Sequence, residues 1–418
     1  MRLIISKAKS LDTFSKNIIL VFTGTTVLNV FNFLCQLLVA HKFSKADFAS
    51  FNALLAIFTM ISTPLATMQT AVAKYTSEFN AHNQSSRIKD LLSALLGKLL
   101  VAAIIIILFF SFISPVIINS LKISSAYSGY TLALLIASSC IAPLFLGSMQ
   151  GLEIFKWLMA VLVITGLMRL VVLFIFITIG FRIAGALGSL LIANLLSIVM
   201  LMSPLSPFLS FKHPREKIDY RGFFSYLFPV AISSFCYMGL VSTDMILVKY
   251  FFMPEEAGLY SLAQMAGKIF LFLPGAISFT MFPRISNLNA QGKDTVPILK
   301  RALLYTVILC LSAALIYNLF PGFILKIMTG KDFPESILLG RLFSVSMSFF
   351  ALALILNQYF LSLKDMRFIK YIILSVCLQS LAMILFHKSL VQIQIILCIN
   401  AGLFFLINLM LIYRQKAV

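Results

Sequence analysis

Charged residues are scarce in this sequence. They make up 11% of the chain, against 61% hydrophobic residues, and the mean hydropathy is +1.01. A soluble domain carries roughly 25% charged residues. The composition therefore excludes a soluble globular protein and predicts an all-α polytopic membrane protein.

Residues suited to catalysis or metal binding are also few. The four histidines lie in loops or at the ends of apolar runs, and the six cysteines lie inside apolar runs without paired spacing or a neighbouring histidine. No His–Glu, Cys–His or Ser–His–Asp set occurs, and there is no glycine-rich phosphate loop. We predict that the protein is not an enzyme, needs no cofactor and no metal, and keeps its cysteines reduced.

Acidic residues are outnumbered by basic ones, 14 to 33, which gives a formal charge of +19. The basic residues lie mostly in short loops, so they indicate membrane orientation and not a nucleic-acid partner. With the N-terminus in the cytoplasm, 22 of them fall on the cytoplasmic side and eight, including Lys122 and Lys249, on the outer side. This bias predicts a multi-pass protein of the plasma (inner) membrane with both termini cytoplasmic.

Twelve apolar runs reach the ~20 residues that a membrane helix needs. The predicted spans are 18–40, 46–73, 92–118, 129–150, 155–180, 184–205, 223–250, 257–283, 301–325, 336–362, 368–386 and 390–412. None of the connections is long enough for a folded soluble domain.

The two halves of the chain repeat each other. Residues 43–51 (Phe-Ser-Lys-Ala-Asp-Phe-Ala-Ser-Phe) resemble residues 252–260 (Phe-Met-Pro-Glu-Glu-Ala-Gly-Leu-Tyr), and each segment is a short outer turn before a helix. Both halves begin on the cytoplasmic side, which indicates a parallel repeat about an axis along the membrane normal. We predict an N-terminal six-helix bundle at 1–205, a basic cytoplasmic linker at 206–222 and a C-terminal six-helix bundle at 223–418.

Residues 244–284 carry a family resemblance. They contain Asp244 with Leu-Val three residues later, a turn, the run Glu-Ala-Gly-Leu-Tyr ending at Tyr260, and Phe-Pro-Arg ending at Arg284. This pattern is similar to the polysaccharide biosynthesis transporters, which include the O-antigen and related oligosaccharide-lipid flippases. The family belongs to the multidrug/oligosaccharidyl-lipid/polysaccharide exporter superfamily, together with multidrug and toxin extrusion exporters and lipid II flippases.

The resemblance implies two six-helix bundles around a central cavity that opens alternately to either side. The implied cargo is a lipid-linked oligosaccharide, such as a polyprenyl diphosphate-linked one, moved from the cytoplasmic to the outer leaflet. Membrane lipids are the other expected partners, protons or sodium ions are candidate coupling ions, and we expect a monomer. Lipid II flippases have several arginines in their first spans, whereas span 1 here has none, which disfavours lipid II as cargo.

Two other functions compete with the flippase. A multidrug or toxin exporter of the same superfamily would need acidic residues to hold organic cations. When charges near the span ends are assigned to the loops, the spans contain one acid and three bases. A membrane-embedded polysaccharide polymerase or lipid-linked glycosyltransferase would need a large outer loop or a cluster of acidic residues and histidines, and the sequence has neither.

Lys268 is the main candidate for binding cargo. It lies in the middle of span 8, and Tyr260, Gln264 and Lys268 recur every four residues, which places them on one helix face. A charge at this depth usually faces a protein interior or a watery cavity. We predict a cavity cation that meets the diphosphate; structural pairing with Asp244 or with backbone carbonyls is the alternative.

Two other cations lie within predicted spans. Arg169 sits at the centre of span 5, where its guanidinium suits either a phosphate or a structural contact between helices. Arg341 lies within about five residues of the outer end of its span, so the long side chain can reach the interface. Interfacial placement is favoured for Arg341, although Ser344 and Ser348 on its face also suit a cavity.

Asp244 is the one carboxylate well inside a predicted span. It can couple transport to protons or sodium ions. Alternatively, it forms a structural hydrogen bond with Gln264, since both residues lie ten positions from Pro254. We favour the structural role.

Asn29, Asn32 and Gln36 lie three and four apart on one face of span 1, which suits a cavity wall binding sugar hydroxyls or a contact between helices. Lys74 and Arg284 are predicted to end equivalent helices on the cytoplasmic side. There they would complement the helix dipole, and a role as a cytoplasmic gate is the less favoured alternative.

Overall fold

The computed structural model describes residues 13–208, 220–272, 274–331 and 333–415. Over these ranges every regular element is a helix, which confirms the predicted all-α fold class. Residues 209–219, which form most of the predicted basic linker, lie outside the described residues, as do residues 1–12 at the predicted cytoplasmic N-terminus.

Fourteen α-helices and one short 3₁₀ turn make up the described chain. The first half contains α1 Thr13–Lys42, α2 Lys45–Ala81, α3 Ser85–Ser120, α4 Tyr127–Gly151, α5 Phe155–Ile179 and α6 Arg182–Leu205, with the 3₁₀ turn at Ser206–Phe208. The second half contains α7 Tyr220–Phe251, α8 Pro254–Phe272, α9 Gly275–Ala290, α10 Val296–Leu319, α11 Pro321–Thr329, α12 Glu335–Ser362, α13 Phe368–Leu385 and α14 Leu390–Gln415.

Eleven of the described helices are long and apolar enough to cross a membrane. They correspond to every predicted span except the eighth. The predicted span 257–283 is divided between two helices, because α8 ends at Phe272 and α9 begins at Gly275, with Pro274 before it. Proline has no amide hydrogen and its ring clashes with the preceding helical turn, so a helix ends or kinks there.

Two helices continue past the positions where the sequence predicts them to end. α2 runs to Ala81 and α9 to Ala290, so Lys74 and Arg284 lie seven and six residues before their helix ends. The prediction that these two cations terminate helices is therefore wrong, and they do not complement the dipoles, whose effect fades within the last turn. Both side chains are exposed.

The chain forms two compact units. Unit 1 comprises Met1–Val39, Pro64–Ile118 and Ser125–Leu227. Its most deeply buried helix is α4, which packs against α6. Leu144 and Phe145 of α4 and Leu91 of α3 are almost wholly inaccessible in this core.

Unit 2 comprises Ala40–Thr63, Asn119–Ser124 and Phe228–Val418. Its central helix is α12, which packs against α8, α10 and α14. Leu356 and Phe360 of α12 and Phe368 of α13 are buried in this core. Lipid tails are as apolar as these side chains, so close packing and hydrogen bonds between helices stabilise such units. The division into bundles at 206–222 stays a prediction.

Candidate functional site

A buried carboxylate organises the polar interior of unit 2. Asp244 on α7 is wholly inaccessible. Its Oδ2 accepts hydrogen bonds from the Tyr260 hydroxyl at 2.8 Å and from Gln264 Nε2 at 2.9 Å. Tyr260 and Gln264 lie one turn apart on α8, so the hairpin of α7 and α8 brings both donors to the carboxylate. The hydrogen bond predicted between Asp244 and Gln264 is present.

The network extends to two further helices. The Tyr260 hydroxyl also lies 3.1 Å from Gln394 Oε1 on α14, and Gln394 Nε2 donates to Ser346 Oγ on α12 at 2.9 Å. The phenol has a single hydrogen, so it serves one of its two acceptors at a time. Sequence reasoning missed Gln394 and Ser346, although a glutamine inside an apolar run was a usable signal.

Lys268 lies one turn beyond Gln264 on α8 and is partly buried. Its ammonium interacts electrostatically with the Asp244 carboxylate. Within the described residues, however, Lys268 forms no ion pair or hydrogen bond, and Asp244 Oδ1 has no hydrogen-bond partner. The ammonium and this carboxylate oxygen therefore both keep capacity for a further partner.

A second interior charge, which is partly buried, lies in unit 1. Arg169 on α5 donates from Nη1 to Asn32 Oδ1 on α1. A Cβ at Gly166, one turn earlier on α5, would come within 2.9 Å of Leu28 Cδ1, so the two helices approach closely here because position 166 has no side chain. Arg169 Nε has no hydrogen-bond partner among the described residues.

The remaining residues predicted from span 1 do not share this arrangement. Asn29 is exposed, whereas Gln36 is partly buried and has interactions of its own. The buried neighbour of Arg169 on α1 is instead Cys35, which is wholly inaccessible and interacts with the guanidinium electrostatically. Of the three polar residues predicted on this face, Asn32 is thus the one that contacts Arg169.

Arg341 differs from the two other intramembrane cations. Its side chain is exposed. The hydroxyls of Ser344 and Ser348 donate to the backbone carbonyls of Arg341 and Ser344 within α12, so they do not extend a polar surface around the guanidinium. Its predicted contact with cargo stays a prediction.

The described residues contain no group of three or more His, Cys, Asp or Glu side chains placed to hold a metal ion. The six cysteines are free thiols. The polar interiors are thus built from amides, hydroxyls and isolated charges.

Long apolar helices with buried charges define a polytopic α-helical membrane protein. A family model described as polysaccharide biosynthesis protein matches residues 14–289. This match covers more than half of the chain, and the chain belongs to that family. Comparison with curated proteins gives no match.

Solved structures share the fold. An inward-facing multidrug resistance MATE family transporter of the MOP superfamily matches with a TM-score of 0.77 and 13% identity, covering 94% of this chain and 96% of that one. The lipid II flippase MurJ in an inward closed conformation matches with a TM-score of 0.68 and 16% identity, covering 95% and 87%. At such identities the likeness shows the fold, with its two helical halves.

Proposed function

We propose that this protein is a flippase that moves lipid-diphosphate-linked oligosaccharides from the cytoplasmic to the outer leaflet by alternating access. Membership of the polysaccharide biosynthesis family supports a role in glycan assembly, and the fold is one that transporters and a lipid II flippase also adopt. We place both termini in the cytoplasm on the basis of the Lys and Arg bias.

The observation that carries the choice of cargo is the spare bonding capacity of two intramembrane cations. Arg169 has one hydrogen-bonded partner, the neutral amide of Asn32, and its Nε is unsatisfied among the described residues. A guanidinium can donate five hydrogen bonds. Lys268 adds an ammonium without a direct ion pair in the described part of the chain. A diphosphate supplies the oxygens that such donors bind.

The same geometry disfavours a cationic cargo. An exporter of organic cations needs free carboxylates, and the Asp244 Oδ2 already accepts two hydrogen bonds. The other oxygen, Oδ1, has no partner in the described residues. We assign this oxygen to coupling with a proton or a sodium ion, because either ion is small enough to fit beside this network.

Export of the glycan by a strain that depends on this protein tests the proposal. Arg169→Ala and Lys268→Ala should lose export while accumulating at the normal level. Removing one partner of a desolvated charge pair costs about 3–5 kcal/mol, which corresponds to roughly 10²-fold or more in binding. Lys268→Arg should keep more activity than Lys268→Gln, because it keeps the charge.

The control is Lys388→Gln, which removes an exposed cation in the turn between α13 and α14. It should export normally. Normal export by both alanine variants at normal protein levels would contradict the proposal. If the alanine variants export the glycan normally but make the strain more sensitive to toxic organic cations, the protein is instead a multidrug exporter.

A further inference from the structure

Lys249 is an unexpectedly buried charge. It occupies the last turn of α7, where the sequence suggests a residue in an outer turn, yet its side chain is 1% exposed. Its Nζ has no hydrogen-bond partner among the described residues. A buried ammonium without a hydrogen bond is strongly unfavourable, so this position needs an explanation.

Two charged residues of unit 2 interact electrostatically with the Lys249 ammonium. Asp47, in the first turn of α2, attracts the Lys249 ammonium, and Lys122, in the turn between α3 and α4, repels it. Lys122 is exposed, and its Nζ donates to the Phe252 carbonyl at 3.4 Å, next to the end of α7. The Lys249 ammonium is thus attracted by one carboxylate and repelled by a second ammonium.

The position of Asp47 depends on how the turn between α1 and α2 packs. A Cβ at Gly258, near the start of α8, would lie only 2.5 Å from Lys45 Cβ and 2.7 Å from its carbonyl oxygen. The backbone at Lys45 can rest on α8 because position 258 has no side chain. The Lys45 ammonium lies 5.0 Å from the centroid of the Phe333 ring, a second contact of this turn within unit 2.

A structural explanation for Lys249 is that a cation at the C-terminal end of a helix complements the dipole. That effect requires neither complete burial nor a second lysine beside the first. The neighbouring Lys122 makes burial of the Lys249 ammonium less favourable. A lipid phosphate offers more acceptor oxygens than the Asp47 carboxylate, and a diphosphate also carries about two negative charges, so it matches two ammonium groups better than Asp47 does.

We propose that Lys249 and Lys122 form a binding site for the phosphate group of a lipid, and that Asp47 takes the place of that phosphate while the α1–α2 turn is packed on α8. Asp47 and the lipid phosphate then alternate as partners of Lys249. The part of this inference that concerns cargo rests on the proposed function. With the predicted topology, the site would hold the diphosphate on the outer side before release.

Calorimetric titration of the purified full-length protein tests this inference. The parent is the Arg169→Leu, Lys268→Gln variant, so that the two cations assigned to cargo binding do not contribute. Farnesyl diphosphate is the probe for an isoprenoid diphosphate, and short-chain phosphatidylglycerol is the probe for a phospholipid headgroup. Lys249→Gln and Lys122→Gln should each weaken binding about tenfold or more, since each removes a charge-assisted contact.

Two further variants make the test specific. Lys388→Gln, the matched loss of an exposed lysine, should bind as the parent does. Asp47→Asn should bind several-fold more tightly, because it removes the competing carboxylate. A purely structural pair between Lys249 and Asp47 would lower thermal stability in both variants without changing affinity. Lys122→Gln alters an exposed side chain, so its result does not depend on how the buried site tolerates substitution.

Equal affinity of the parent, Lys249→Gln and Lys122→Gln for both probes would overturn the site. An unchanged affinity in Asp47→Asn would overturn the exchange with Asp47. Binding of phosphatidylglycerol but not farnesyl diphosphate would support a phosphate site and overturn its role for cargo. Because the measurement uses no export, its failure and the failure of the flippase proposal are separate results.

Discussion

In unit 1 the interior charge is a partly buried cation held by a neutral amide, whereas in unit 2 it is a fully buried carboxylate held by a phenol and an amide, with a lysine nearby. Arg169 has Asn32 as its hydrogen-bonded partner, and no carboxylate of the described residues contributes to its electrostatics. Lys268, by contrast, has Asp244 to offset its charge. The comparison indicates that the interior of unit 1 around Arg169 stays positively charged, while the polar interior of unit 2 can be close to neutral.

The largest expected effect comes from separating the two charges of unit 2. Lys268→Gln leaves a buried carboxylate without its cation, and Asp244→Asn leaves the cation without its carboxylate. Each should lower the free energy of unfolding by about 3–5 kcal/mol, the cost of leaving one member of a buried charge pair without its partner. The double variant should be more stable than the sum of the two losses predicts, because it contains neither orphaned charge. Thermal unfolding in detergent measures this.

A second double-mutant cycle, which combines Asp244 of unit 2 with Arg169 of unit 1, provides the contrast. Combining Asp244→Asn with Arg169→Leu should give additive losses, within about 0.3–0.5 kcal/mol, because the two residues share no partner. If the Asp244 and Lys268 losses were equally additive, the electrostatic link within unit 2 would be too weak to support the comparison.

A smaller effect is expected from replacing the partner of Arg169. Asn32→Leu removes the acceptor and should cost about 1.5–3 kcal/mol, the range for hydrogen bonds to charged groups. Asn32→Asp should instead neutralise the guanidinium, so it should reduce glycan export without the loss of stability. Asn29→Leu, an exposed position one turn earlier, is the control for stability and should leave the free energy of unfolding unchanged. Normal export by Asn32→Asp would show that the positive charge of unit 1 is not needed.

The smallest effect is expected where a charge pair lies outside the spans. Asp365, in the turn between α12 and α13, accepts hydrogen bonds from the Arg367 guanidinium at 2.7–3.0 Å. Burial alone would raise the pKa of the Asp365 carboxyl, but the hydrogen bonds and charge of Arg367 outweigh it and hold the pKa below the ordinary value of 3.8. A lowered pKa stabilises the folded state above the unfolded-state pKa, and this stabilisation is lost as the pH falls through the folded-state value.

Asp365→Asn should therefore destabilise the protein slightly at neutral pH, and the difference from the wild type should vanish once the pH is well below 3.8. Exposed pairs of this kind contribute little because water screens them. Urea unfolding at pH 7 and at low pH measures the difference. If Asp365→Asn lowered the free energy of unfolding more than Lys268→Gln does, charge pairs outside the spans would matter more for stability than those inside, contrary to the prediction.

The sequence was sufficient to predict the helices and part of one site. Equal distances from Pro254 placed Asp244 and Gln264 at the same depth, and the hydrogen bond between them is present. The pairing of Arg169 with Asn32 was not predictable in the same way. In helices that are apolar on every side, the sequence does not show which faces meet, so two isolated polar residues on distant spans cannot be matched. The burial of Lys249 also depends on tertiary packing that its position at a helix end does not reveal.

The lengths of α2 and α3 have a practical consequence. At 1.5 Å per residue, the 37 residues of α2 extend roughly 55 Å, whereas even a helix tilted by 40° crosses a ~30 Å hydrocarbon layer in about 39 Å. With 36 residues, α3 is nearly as long, and the two meet at a short turn around residues 82–84. The tip of this hairpin should therefore stand clear of a detergent micelle. On a membrane protein of 46.6 kDa, it offers an epitope for an antibody fragment that would guide particle alignment in electron cryomicroscopy.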